Sequence, residues 1–415
     1  MNNRGFTLVE LLISALIFVL IMAAASNVFT ALLTQFKQQS KIGETNIEGI
    51  IGLEILRQDL VNAGYGLPRN IIGINDSDGD GNFWEHLSNY DEAISWGSPD
   101  PSNFNDATKN LDADAYDGEQ PRALVSGDSV NFSGSNNILN GSDYLVIKAI
   151  NVADNEACRK WTTLKVGDEK KIWEPKTENL KDTDKVIILS PGGTETNLMS
   201  LVVDNSGNYF TTYNNTSNFA PTNNNETRSI YGIDPEVNLR MPFNRADYFI
   251  WRFDSSGKNI TPQKCAPNTG VLIKAVLNHS DGKFKDFLPL LDCVADMQVI
   301  YRFDMNQDGI IGTASNADGS IIADIDGGEG ATVTTVQDAL NRASIMKNVL
   351  KEVRVYILAH EGQKDLNFGY QSNTVTVGEY GLGRIFNLST SIGYPEYRYY
   401  RWKVFTIVVS PLNLR

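Results

Sequence analysis

From Phe6 to about Leu33 the chain is an apolar run in which Glu10 is the only charge. An ionised carboxylate near the start of a membrane helix costs on the order of 3 kcal/mol unless a cation neutralises it. Glu10 is therefore a functional candidate in search of a positive partner. A different chemistry is suggested by Asp76-Ser77-Asp78-Gly79-Asp80-Gly81 and Asp304-Met305-Asn306-Gln307-Asp308-Gly309, which carry oxygen side chains at alternate positions before a glycine. That spacing wraps hard oxygens around one cation, as in the front half of a calcium loop. The candidate ligands are Asp76, Asp78 and Asp80 in one loop and Asp304, Asn306 and Asp308 in the other. The usual twelfth-position glutamate is replaced by Leu87 and Ser315, which leaves Glu85, Asp318 or Asp324 to complete a site. The same residues also make plain turns without metal, and both readings stay open.

Other reactive groups are sparse. Cys158, Cys265 and Cys293 are too few and too far apart for a zinc site. In a head outside the cytoplasm the simplest arithmetic is one disulfide and one free thiol, with Cys265 and Cys293 the nearest pair; three buried thiols are the alternative. None of His86, His279 and His360 stands at metal-ligand spacing, and neither a nucleophile elbow nor a phosphate-cradling glycine loop occurs. The expectation is a protein that is not an enzyme and requires no cofactor, with calcium the one candidate ion. A formal net charge of −14 argues against direct nucleic-acid binding, because phosphate recognition needs a basic face.

The elements that must position these groups begin with a helix. The apolar run is long enough to span a bilayer, which takes about 20 residues. Beyond it Ile47, Ile50, Leu53, Leu56 and Leu60 recur every three or four residues, so one continuous helix from Phe6 to about Ala63 is predicted, with its stripe packed on a head. Gly43, Gly49 and Gly52 are expected to weaken its middle, and Gly64, Gly66 and Pro68 to end it. The rest reads as strands, among them 143–152, 185–189, 198–203, 248–253, 271–277, 296–303, 352–359 and 401–410, with a short helix near 336–350. Segments 85–120 and 204–225 are polar loops whose composition cannot fill a core. The predicted fold class is α+β, a long helix on a mainly antiparallel head. The divisions expected are 1–5, 6–36, 37–64 and a head over 65–415.

The stretch Arg4-Gly5-Phe6-Thr7-Leu8-Val9-Glu10-Leu11-Leu12 resembles the leader and cleavage site of type IV pilins and type II secretion pseudopilins. The resemblance implies that a prepilin peptidase cuts after Gly5 and methylates Phe6. The amine of one subunit then meets Glu10 of its neighbour, setting register in the filament. An ordinary signal peptide cut after Ala23-Ala24-Ala25 is the alternative, and the two differ in the mature end, Phe6 or Ser26. Residues 56–65, 291–301, 353–358 and 401–413 are similar in order and spacing to the PilW family of minor pilins. Such a protein is expected in the inner membrane with its head in the periplasm, then in a pilus at the cell surface. Its partners would be prepilin peptidase, other minor and major pilins and the inner-membrane assembly platform, and its role to initiate or cap assembly. A GspJ-like pseudopilin and a tip-exposed adhesive module are the alternatives.

Overall fold

No proline or glycine interrupts the chain from Phe6 to Ile42. The computed structural model describes residues 7–74, 83–84, 86–95, 101–106, 120–127, 141–191, 199–254, 256–305, 307, 311, 321–324, 339–379 and 381–414. Its first element is one continuous helix, α1, over Leu8–Val61. At 1.5 Å per residue its 54 residues span about 80 Å. Asn62 caps its C-terminus, and Gly64 and Gly66 follow at φ +78° and +64°, where a Cβ would be strained.

Seventeen strands follow among the described residues. They begin with β1 (Asn70–Ile72), β2 (Leu124–Gly127), β3 (Tyr144–Ala149), β4 (Trp161–Lys165), β5 (Glu169–Lys170) and β6 (Lys185–Pro191). Next come β7 (Met199–Val202), β8 (Thr211–Thr212), β9 (Arg228–Asp234), β10 (Asn244–Trp251), β11 (Gly270–Leu277) and β12 (Phe284–Phe303). The last are β13 (Ile321–Asp324), β14 (Leu350–Glu361), β15 (Thr374–Val377), β16 (Arg384–Asn387) and β17 (Arg401–Val409), with a short helix α2 (Ala343–Val349) before β14. The larger sheet has the order β17-β14-β12-β11-β10-β3-β2, with β13 added on β12, and every pair in it is antiparallel. The second runs β1-β7-β6-β9-β4-β5 with β8 on β6, and β1–β7 is its one parallel pair. A hairpin, β15–β16, stands apart. The α+β expectation holds.

Both faces of the large sheet are covered. Val353, Val355 and Ile357 of β14 enter the main core with α1, while Tyr356 and Leu358 enter a second cluster beneath β15–β16 with Phe386, Tyr397 and Trp402. This is the period of two that a strand imposes.

Two expectations about loops are corrected. Leu87, Tyr90, Ala93 and Phe104 from 85–120, and Tyr209, Tyr213 and Phe219 from 204–225, are buried in the core clusters. Their few apolar side chains are large, and the polar ones that accompany them are paired. Lys148 on β3 lies 2.7 Å from Glu92 and 2.7 Å from Asp106, and Arg245 on β10 reaches Asp247 at 2.8 Å and Glu92 at 3.1 Å. Arg122 holds Asp106 from the other side at 2.7 Å. Burial pushes the Asp106 carboxyl up, but the Arg122 and Lys148 cations outweigh it and bring it down to about 2.

Burial pushes the imidazoles of His279 and His360 down to about 4 and about 3. Each accepts a backbone N–H, from Arg240 at 3.2 Å and from Ala266 at 2.8 Å, and so stays neutral. The unfolded chain binds both protons near pH 6.5, so their contribution is complete above that value and is lost as pH falls. At about 1.4 kcal/mol per residue per pH unit, the melting temperature is expected to drop steeply between pH 6.5 and 4. His360→Gln keeps an acceptor for Ala266 and should flatten that slope; an identical slope in the variant would refute the assignment.

Candidate assembly interface

At the tip of α1, Thr7 and Glu10 form a reciprocal cap. The Thr7 N–H and hydroxyl each donate to Glu10 Oε2 at 2.9 Å, and the Glu10 N–H donates to Thr7 Oγ1 at 3.3 Å. A carboxylate here also faces the positive end of the helix dipole. Glu10 is thus held within its own subunit, at the end of the chain where the resemblance puts the new amine. Gly5 and Phe6 themselves lie outside the described residues.

Successive residues step about 100° around the helix, so azimuth decides what each touches. Leu53, Leu56 and Leu60 point to the head and are buried, each stabilising the seat by roughly 2 kcal/mol. Ile47 and Ile50, expected in the same stripe, are 62% and 64% exposed, with Ile51 beside them at 60%. On a helical wheel Ile47 and Ile51 fall opposite Leu56 and Leu60 and Ile50 falls on the flank between, a separation the spacing of three and four alone conceals. They continue an outward ridge of Phe29, Leu32, Leu33 and Phe36, and the exposed Glu54–Arg57 pair at 2.6 Å lies beyond its upper end.

The glycines also depart from expectation. α1 runs through Gly43, Gly49 and Gly52 without a break, and the last two face the head. A Cβ on Gly52 would sit 1.8 Å from the Leu290 carbonyl oxygen of β12, and one on Gly49 would meet a Leu291 methyl at 2.9 Å. Nothing lies within 4 Å at Gly43. Two of the three glycines thus permit close approach of helix and sheet rather than bending. Farther along, Asp59 is buried and accepts hydrogen bonds from the Tyr248 hydroxyl on β10 and the Lys274 ammonium on β11. Burial raises its pKa, against the pull of Lys274.

Of the acidic-loop residues, Asp76, Asp78, Asp80, Asn306 and Asp308 lie outside the described residues. Asp304 is buried, 3.7 Å from the Lys351 ammonium. Cys265 and Cys293 form a disulfide that fastens the loop before β11 to β12, and Cys158 is a buried free thiol. His360 nitrogen lies within 4.8 Å of both disulfide sulfurs. As long as the disulfide is closed, neither sulfur is available as a thiolate ligand.

Residues 1–26 match the family model described as the prokaryotic N-terminal methylation motif. Neither the curated proteins nor the solved structures give a match. The motif is that of a type IV pilin-like prepilin: a structural class of protein, anchored in the membrane by its apolar helix, processed by prepilin peptidase and associated with other pilins.

Proposed function

We propose, from the premise of a prepilin N-terminus, that this chain is a PilW-like minor pilin that helps initiate or cap the type IV pilus. Prepilin peptidase would cut after Gly5 and methylate Phe6, with Glu10 then available to the amine of a neighbouring subunit. The observation that carries the minor role is the size of the head against the thickness of the helix. About 350 residues follow α1, and a domain of that length is roughly 50 Å across. Helices in a bundle pack only about 8–10 Å apart. Subunits with such heads cannot occupy adjacent places at one level of a filament, whereas a terminal or sparse place accommodates them. The ridge from Phe29 to Ile51, turned away from the head, supports the same reading as the face a neighbouring helix would cover.

Glu10→Ala removes the carboxylate and leaves Gly5 untouched. Processing is expected to proceed, read as a mature N-terminus at Phe6 by mass spectrometry, while recovery in sheared pili falls severalfold. Normal incorporation of the alanine variant would contradict the charge pairing. A mature end at Ser26 would contradict the prepilin reading itself.

A further inference from the structure

A second surface is also left unpartnered. Between α1 and the head lies a polar cavity of about 590 Å³, walled by Asn27, Thr30 and Thr34 of the helix and by Asp365, Asn367 and Arg401 of the head. Its height follows from the helix rise. A hydrocarbon layer of about 30 Å takes about 20 residues, which counted from Leu8 ends near Asn27, and the apolar run itself ends near Leu33; the helix side of the cavity, from Asn27 to Ile42, covers both ends. The loop Gln363–Phe368, which supplies Asp365 and Asn367 to the far wall, therefore stands at the level of the lipid headgroups.

That loop carries what an interface accommodates. Leu366 is 70% exposed, as is Tyr394 on the segment paired with it through Lys364–Glu396 at 2.6 Å and Arg401–Asp365 at 2.7 Å. Apolar and tyrosine side chains are at home where acyl chains meet headgroups. The local charge also reverses that of the molecule. Lys37, Lys41, Lys364, Arg398, Arg401 and Lys403 outnumber the acids Glu361, Asp365 and Glu396 in segments 37–41, 361–370 and 394–403, within a chain of net charge −14; each acid is paired with one of these cations, Lys403, Arg401 and Lys364 in turn, which leaves an excess of three positive charges.

We propose that in the membrane-anchored subunit the loop Gln363–Phe368 docks on the phospholipid headgroup layer of the leaflet from which α1 emerges. Leu366 enters the acyl boundary, and the local excess of positive charge attracts the lipid phosphates. This rests on membrane anchoring by α1 and is independent of the minor-pilin role. Docking holds the head against the bilayer, so drawing the subunit into a filament must break this contact.

The test uses the full chain in vesicles of phosphatidylcholine and phosphatidylglycerol with brominated acyl chains. An environment-sensitive fluorophore is placed on Leu366→Cys, with Leu16→Cys in the helix and the exposed Ile172→Cys, just after β5 of the second sheet, as references. Cys158 is buried and the other two cysteines are joined, so the label goes to the introduced thiol. Emission is expected to be quenched at 16 and 366 and unchanged at 172. Quenching at 16 without 366 overturns docking and leaves anchoring intact, and quenching at neither overturns both. Quenching at all three is adsorption of the whole head and overturns the specific contact. Omitting phosphatidylglycerol should weaken quenching at 366 and leave 16 unchanged; equal quenching would refute the part assigned to the cations.

Discussion

Lys148→Met is expected to destabilise the head by about 3–5 kcal/mol, the range for breaking a buried ion pair from one side. Lys148 is fully buried, and its ammonium lies 2.7 Å from both Glu92 and Asp106. Methionine fills a similar volume without charge, so the loss is electrostatic rather than a cavity. Two carboxylates then share the remaining cations, Arg122 and Arg245, in a site buried from solvent. Because Glu92 and Asp106 belong to the segment between β1 and β2, that segment should loosen first. Denaturant unfolding in detergent reads the loss, and hydrogen exchange over 86–106 locates it. Adding Glu92→Gln to Lys148→Met should recover part of the stability, since it removes one of the stranded charges. A single variant as stable as the parent would show that the network contributes nothing net.

Gly52→Ala is expected to separate the helix from its seat, at a cost of about 3 kcal/mol or more for overpacking. The obstacle is the backbone of β12, because the added Cβ would stand 1.8 Å from the Leu290 carbonyl oxygen. No rotamer change relieves that contact. Better helix propensity returns only about 1 kcal/mol. At Gly43 the space is open, so the same change there should stabilise by about 1 kcal/mol. Opposite signs from one substitution on one helix separate close approach from helix propensity. Melting both variants beside the parent measures them, and two stabilised variants would remove the close-approach account.

The chain's regular parts were legible in advance because their causes are local. The long helix follows from an uninterrupted apolar run and its glycine-rich end, and the expected strand at 352–359 lies inside β14 because β-branched and apolar residues crowd it. Strands β4 and β9 carry no such local signal: Trp161–Lys165 and Arg228–Asp234 mix charges with apolar residues and take their partners from far along the chain. The buried acids of 86–106 escaped for the same reason. Glu92 and Asp106 read as solvated until Lys148 and Arg245 are brought to them by β3 and β10.

By itself the amino-acid order determined the prepilin-like N-terminus, the lone acid at Glu10 within the apolar run and a helix long and apolar enough to span a membrane, since each depends only on neighbours in sequence. Only the tertiary structure decided which side of that helix meets the head. Ile50 and Leu53 are three residues apart and equally apolar, yet one is exposed and the other buried, because the approach of β12 at Gly52 selects a single azimuth. Contact at that distance is a property of two backbones at once, and no spacing along one chain segment encodes the second.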